Sequence, residues 1–441
     1  MLKFPLARSL WTLGFALLLV VLACDPSRAT SPNVVIIVVD TLRADHMSAY
    51  GYPRRTTPEI ERFSAGAVRF DQAMSVTSWT TPSIGALLTS RYPTEVSPEY
   101  PPAALPRHVL RLPQLFQHEG YVTGAVVSHL FIGRRLGFDV GFDVFDEEEA
   151  RGRSHVSSPG VTDRALAFVE KHQRDSFFLF AHYFDPHYDF LRHEQHDFAG
   201  EPIGRVRSGM PIHVLNEIGP ELTEAELEYI RGLYDSEIAL TDEHIGRLLR
   251  RLRELDLYDD SLIVITGDHG EEFLERGKIG HGNHLHAESI RVPLIVKPPG
   301  WKEGRVVRTP VSLIDVGRTV CALSGVAWPT DTLGRGRTLP LVNGDGEESH
   351  AVISELESAR SIITGRWKLL TADSLGGARL YDWTTDSGER DNVISSHPQI
   401  AESLALRLER WAETLKAESD GIPVEFSGEE RQRLRALGYL Q

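Results

Sequence analysis

Asn33-Val34-Val35-Ile36-Ile37-Val38-Val39-Asp40 is an unbroken β-branched run closed by a carboxylate. Valine and isoleucine favour extended backbone. A run without polar alternation suits a strand buried on both faces of a parallel sheet. The carboxyl end of such a strand is where open α/β sheets gather ligands, and Asp40 stands there. Outward from this run, Val122–Val127, Phe177–Ala181, Leu262–Thr266 and Val292–Val296 read as further strands. Thr57–Ala65, Leu112–Glu119, Thr162–His172, Thr223–Leu255 and Val311–Leu323 read as helices, and Thr223 with Glu226 has capping-box spacing at the head of the longest. Alternating strands and helices predict an α/β fold, a mostly parallel sheet flanked by helices. Residues 191–220, polar and aperiodic, read as an insertion or lid.

Past residue 345 the character changes. Short strands at 351–354, 361–364, 367–371 and 380–382, then helices at about 398–418 and 428–438, read as a small C-terminal α+β subdomain over 346–441, behind a catalytic domain over 33–345. At the other end, Lys3 and Arg8 precede the apolar run Leu10–Ala23, too short for a membrane span and right for a signal over residues 1–23. Val21-Leu22-Ala23-Cys24-Asp25 resembles a bacterial lipobox with Cys24 as the lipidated residue, residues 24–32 then being a linker. The expectation is an exported protein of the cell envelope or periplasm, anchored to the membrane through a lipid; a plain secretory signal and an uncleaved anchor are the alternatives.

The 441 residues are 41% hydrophobic and 25% charged, a globular composition, and the formal net charge of −15 excludes nucleic acid as the main partner. An anionic substrate stays possible, because a metal can reverse the local field. Apart from Cys24 there is one cysteine, Cys321, in an apolar helical pattern, so no disulfide framework or cysteine metal site can form.

Two features carry chemistry. In Ser78-Trp79-Thr80-Thr81-Pro82-Ser83, Pro82 suits a first helical position and Thr81 an N-cap, which leaves Thr80 just outside, facing the unpaired N–H groups of the helix. Acidic and imidazole side chains also follow three apolar strands: Asp40; Asp185 with His187; Asp268 with His269. In a parallel sheet these ends share one edge. Oxygen and imidazole donors gathered there suit a divalent ion, zinc, manganese, calcium or magnesium, in hydrolytic use. Asp185 could join His187 and His281 around a second ion; His284 and His286 read as solvated or structural.

These motifs together resemble the sulfatase family of the alkaline phosphatase superfamily. Val39-Asp40-Thr41-Leu42-Arg43-Ala44-Asp45-His46 is similar to its opening motif. Trp79-Thr80-Thr81-Pro82-Ser83 with Leu87-Leu88-Thr89-Ser90-Arg91-Tyr92-Pro93 is similar to its nucleophile motif, and Asp268-His269-Gly270-Glu271 with His281-Gly282 to its metal motif. Arg291-Val292-Pro293-Leu294, Leu380-Tyr381-Asp382 and Leu437-Gly438-Tyr439-Leu440 follow in the family's order. The resemblance implies an alkaline-phosphatase/sulfatase-like fold and a divalent cation held by Asp40, Asp268 and His269, with Thr80 as nucleophile and fourth ligand. His187 and His281 would then touch the substrate or protonate the leaving group.

The departures point away from the formylglycine mechanism of sulfatases. That residue is made from Cys or Ser, and here the position is Thr80; the family's arginine is Ile84, its second aspartate Thr41, and its Gly-Lys-x-His segment has no counterpart around Val127-Ser128-His129-Leu130. Threonine nucleophiles occur in the superfamily's phosphodiesterases and phospho-group transferases. The expected function is therefore metal-dependent hydrolysis of sulfate or phosphate esters by Thr80, phosphorus favoured, on a small-molecule, glycan or lipid ester. The alternatives are a membrane-tethered phospho-group transferase acting on an envelope lipid or glycan, and a non-catalytic binding lipoprotein.

Overall fold

The 33–40 run forms β1 (Val34–Val39), buried at every position. Its chain neighbours in the structure, a computed structural model, are described over residues 31–96, 103–150, 156–187, 189–330, 334–341, 350–415 and 428. Ten further strands follow before residue 320 among these: β2 (Val68–Met74), β3 (Val122–Val126), β4 (Val144–Asp146), β5 (Phe177–Tyr183), β6 (Leu262–Gly267), β7 (Glu272–Phe273), β8 (Ile279–Gly280), β9 (Arg291–Lys297), β10 (Arg305–Val307) and β11 (Val311–Ser312). Nine described strands form one sheet in the order β10-β2-β9-β6-β1-β5-β3-β4, with β11 also on β2, while β7 and β8 pair as a small hairpin. β1 runs parallel to β5 and β6 on either side, the arrangement its two-faced burial requires.

The expected strand at 292–296 is present but reversed: β9 lies antiparallel between β6 and β2. Between β6 and β9 lie only the β7–β8 hairpin and the short helix Ala287–Ile290. No helix long enough to cross the sheet lies in that connection, as a parallel return usually requires, and the chain comes back antiparallel. β2 and β4 escape the sequence pattern. In β2 the register shifts between Phe70 and Ala73, which breaks the alternation a strand would otherwise display.

Helices Pro58–Ser64, Leu112–His118, Ser158–Lys171, Glu224–Glu254 and Val316–Ser324 flank this sheet. The 224–254 helix runs 31 residues unbroken, with Thr223 Oγ1 accepting from the Glu226 N–H at 3.3 Å and Glu226 Oε2 accepting from the Thr223 N–H at 2.9 Å. The expected helix at 311–323 opens instead as β11 and the tight turn Leu313–Asp315. Residues 191–220 hold the helix Ile212–Ile218 and two short turns.

A second sheet, antiparallel throughout, is made of β12 (Val352–Leu356), β13 (Ala359–Thr364), β14 (Trp367–Thr371) and β15 (Arg379–Asp382), with helix Pro398–Glu413 packed on β13 and β14. Buried Lys368 of β14 donates to Glu389 Oε1 at 2.7 Å and to the Leu285 carbonyl at 2.7 Å. Cys321 is buried. Cys24 and the expected helix beyond residue 428 lie outside the described residues. Among the described residues, no helix is long and apolar enough to cross a membrane.

Candidate active site and metal centre

Val39 of β1 is in register with Gly267 of β6, so the next residues, Asp40 and Asp268, leave the sheet side by side. Both are fully buried. Thr41 turns the chain with φ 53°, an uncommon conformation for a β-branched residue. That turn aims the Thr41 N–H at Asp268 Oδ1, 3.1 Å away, where the His269 N–H also donates at 2.8 Å. One oxygen of Asp268 is thus fixed. Asp268 Oδ2 and both Asp40 oxygens are buried without a hydrogen-bond partner, an arrangement that is expensive unless something positive sits among them.

His269 supplies the matching nitrogen. With its Nδ1–H donated to the Gly270 carbonyl at 3.0 Å, Nε2 keeps its lone pair, the usual way a metal-binding imidazole is oriented. Nε2 faces Thr80 Oγ1 at 3.2 Å, Asp268 Oδ2 at 3.4 Å and Asp40 Oδ1 at 3.7 Å. Donor atoms of Asp40, Asp268 and His269 all lie within 4.8 Å of one another. Two carboxylates, one imidazole and one hydroxyl are a donor set that fits a divalent cation.

Thr80 is placed differently from its expected position outside a helix. The helix spans Thr80–Thr89, every residue of it buried, and the Ser83 N–H already bonds the Trp79 carbonyl at 3.1 Å, which makes Trp79 the N-cap. Thr81 caps nothing: its hydroxyl donates to the Phe131 carbonyl at 2.9 Å. Ser83 Oγ donates to the Asp268 carbonyl at 2.7 Å and ties this helix to the strand end. Thr80 therefore lies in the first turn itself, with the unpaired N–H groups and positive dipole end of the helix beside its hydroxyl.

Imidazoles surround the group. The His281 ring centre is 4.5 Å from that of His269 and 4.8 Å from that of His187, and His187 stacks on Phe184 at 4.5 Å. Glu271 Oε1 lies 3.0 Å from His281 Nδ1. His129, which sequence reasoning passed over, belongs here too: donor atoms of Asp40, His129 and His187 are also within 4.8 Å of one another. Its Nδ1 accepts from the Phe131 N–H at 2.9 Å, so the proton sits on Nε2 and His129 brings an N–H donor to the site, not a lone pair for a metal. Like the others, His129 follows an apolar strand, β3, and that signal could have found it.

Asp185 is spent elsewhere. Its oxygens accept from Ser157 N, Ser157 Oγ and Ser158 N, each at 2.7 Å, where the 158–171 helix begins. It therefore does not join a second ion. His284 pairs with Glu272 at 2.9 Å, His286 Nε2 lies 3.4 Å from the Tyr381 hydroxyl, and donor atoms of His284, His286 and Glu288 lie within 4.8 Å of one another, apart from the Asp40–Asp268–His269 group. Ile84, where the family has arginine, is fully buried in the core.

The interior opposes every charge in this group. Burial first, then Asp268 and Glu271, push the Asp40 carboxyl well above the usual range, and burial pushes Asp268 up as well. Burial pushes His269 down to about 4, His281 to about 3 and His182 to about 3, and holds His129 well below its ordinary value. The imidazoles are thus neutral near pH 7, and positive charge is what the carboxylates lack.

Residues 32–326 match the profile of the sulfatase family. The chain belongs to the sulfatase family. Its members are metal-dependent hydrolases of sulfuric esters. An ulvan-active sulfatase of Formosa agariphila is 27% identical over 347 residues, 72% of this chain and 66% of that protein, just under two thirds of its length. Arylsulfatase A of Bos taurus is 25% identical over 93% of this chain and 92% of its own. Among solved structures, the phosphonate monoester hydrolase of Agrobacterium radiobacter superposes with a TM-score of 0.69 at 18% identity, covering 87% of this chain and 95% of that one, and so shares the fold.

Proposed function

We propose that this sulfatase-family chain hydrolyses a monoanionic ester, phosphorus favoured over sulfur, with Thr80 Oγ1 as the nucleophile and Asp40, Asp268, His269 and Thr80 as ligands of one divalent cation. The observation that carries the reading is the approach of Thr80 Oγ1 to His269 Nε2, 3.2 Å, beside three carboxylate oxygens that have no hydrogen-bond partner. A bound cation would supply the charge that lowers the pKa of the threonine hydroxyl and neutralises the developing oxyanion.

The chain's own residues do the rest. Thr80 gives its hydroxyl proton up to the His187–His281 pair as Oγ1 bonds to phosphorus or sulfur, and the pair passes a proton to the ester oxygen as that bond breaks. Water then attacks the covalent ester on Thr80. His281, its Nδ1–H held by Glu271, takes the water proton on Nε2 and returns it to Thr80 Oγ1 as that bond breaks. His129 Nε2–H donates to a non-bridging oxygen of the substrate.

Charge selects the substrate class. Among the described residues no lysine or arginine pairs with Asp40, Thr80, Asp268 or His269. The two carboxylate ligands and one divalent cation cancel, neutral imidazoles add nothing, and the buried Glu271 carboxylate beside His281 leaves the surroundings with no excess positive charge. Such a site suits a phosphodiester, a phosphonate monoester or a sulfate monoester, each carrying one negative charge, over a doubly charged phosphate monoester. Threonine cannot become formylglycine, which favours phosphorus within that group. The ulvan-active relative makes a glycan ester the natural setting, and a lipid on Cys24 would hold the enzyme at the envelope surface.

The test is a panel of aryl phosphodiester, phosphonate, sulfate and phosphate esters, each with manganese, zinc, calcium and magnesium. Turnover should be fastest on a phosphorus monoanion and slowest on the phosphate dianion. Fastest turnover on the dianion would overturn the charge argument.

A further inference from the structure

Val38 of β1 is in register with His182 of β5 on one side and Thr266 of β6 on the other. Side chains two residues apart on a strand share a face. Asp40, two past Val38, and Asp268, two past Thr266, therefore rise over a row made of His182, Val38 and Thr266. Thr266 gives its hydroxyl to the Pro293 carbonyl at 2.7 Å, and Val38 has nothing to give. His182 is the polar member of the row with an atom to spare. It is fully buried, its Nε2 is 3.7 Å from Asp40 Oδ2, and neither atom has a hydrogen-bond partner. Ser128 Oγ donates to the His182 carbonyl at 2.6 Å and lies 3.5 Å from Nδ1, too far to decide which ring nitrogen carries the proton.

We propose that His182 is a positioning residue of the metal centre: its Nε2–H, 3.7 Å from Asp40 Oδ2 and so short of a hydrogen bond in this structure, closes on that oxygen in the cation-loaded protein and leaves Oδ1, the oxygen facing His269, to the cation. This rests on the reading that the cation sits among Asp40, Asp268 and His269. A carboxylate ligand needs such an anchor, because a free carboxylate rotates and offers either oxygen, and loss of a group that orients a ligand weakens metal binding without touching the metal. His182 makes no contact with substrate in this role and moves no proton.

The test compares His182→Gln, which keeps a side-chain N–H, with His182→Leu, which fills the space without one. Manganese affinity is measured on the full chain by titration, and the melting temperature of each metal-free variant is recorded alongside. The leucine variant should bind manganese roughly 10- to 100-fold more weakly, and the glutamine variant close to wild type. Nitrogen-15 spectra of the wild-type histidines should place the His182 proton on Nε2, a measurement that stands even if a variant does not fold. Leucine binding manganese as tightly as wild type, glutamine as weak as leucine, or a proton found on Nδ1 would each overturn the role of His182. A wild-type chain that binds no divalent cation would overturn the metal reading itself, and is told apart by that single titration.

Discussion

Thr80 Oγ1 stands 3.2 Å from His269 Nε2, although 189 residues of chain separate them. The sheet makes this contact: β6 delivers His269 past its end, and the 80–89 helix delivers Thr80 in its first turn. Removing the hydroxyl should therefore remove chemistry and leave the fold. Thr80→Ala should lose roughly 10^3-fold or more in kcat, with Thr80→Ser retaining measurable turnover. Steady-state kinetics of the three proteins, with melting curves as the folding control, check this.

Three buried carboxylate oxygens with no hydrogen-bond partner make the metal-free site costly. A divalent cation should stabilise the chain by mass action, by about 2.7 kcal/mol at a hundred times its Kd. Asp268→Asn should abolish that gain. Thermal unfolding with and without manganese, and after chelation, measures both effects; a chelator with no effect on either stability or turnover would contradict the site.

Acid should weaken the fold through the histidines. Burial depresses His269 to about 4 and His281 to about 3, against an ordinary value near 6.5. Below about pH 6.5 the unfolded chain takes up protons that the native chain refuses, so the stability these groups provide is intact above that pH and drains away as pH falls towards 4 and then 3. Asp40 and Asp268, pushed up, act in the opposite sense in the metal-free protein, because the native carboxyls then hold protons more tightly than the unfolded ones. A bound cation ionises them and removes that offset. Denaturant titrations between pH 7 and 4.5 should show a steeper acid loss for the manganese-loaded protein than for the chelated one.

A buried ion pair holds the second sheet to the segment that follows it, and its lysine also donates to the Leu285 carbonyl of the catalytic part. Lys368 and Glu389 side chains are 1% and 3% exposed and 2.7 Å apart. Lys368→Met leaves a buried carboxylate alone and should cost about 3–5 kcal/mol, whereas adding Glu389→Leu should recover most of it. A double-mutant cycle by denaturant unfolding reads the coupling.

What the sequence disclosed, and what it hid, follows from how each feature is encoded. The β1 run announced itself because two-faced burial demands an uninterrupted apolar string, and Asp40, Asp268 and His187 were visible as polar residues directly behind such strings. β2 was hidden by the register shift between Phe70 and Ala73, which destroys its period. The reversal of β9 was hidden because strand direction is set by the path of the connection, here a hairpin and a four-residue helix, not by the residues of the strand. Thr81 and Pro82 looked like a cap and a first helical residue; with the Thr81 hydroxyl engaged by the Phe131 carbonyl, the helix starts two residues earlier, at Thr80. Asp185 resembled a ligand because only the fold reveals that Ser157 and Ser158 claim it. His129 and His182 carried no motif of their own. Their meaning lies in which atoms they meet, Phe131 N for one and Asp40 Oδ2 for the other.

In this mechanism Thr80 itself carries the transferred group. Rapid acid quench of the metal-loaded enzyme turning over an aryl phosphonate or phosphodiester, followed by peptide mass spectrometry, tests it. A phosphorus adduct should appear on the peptide holding Thr80, absent from Thr80→Ala and chased away by water. Turnover at the wild-type rate in Thr80→Ala, or an adduct confined to another residue, would contradict it.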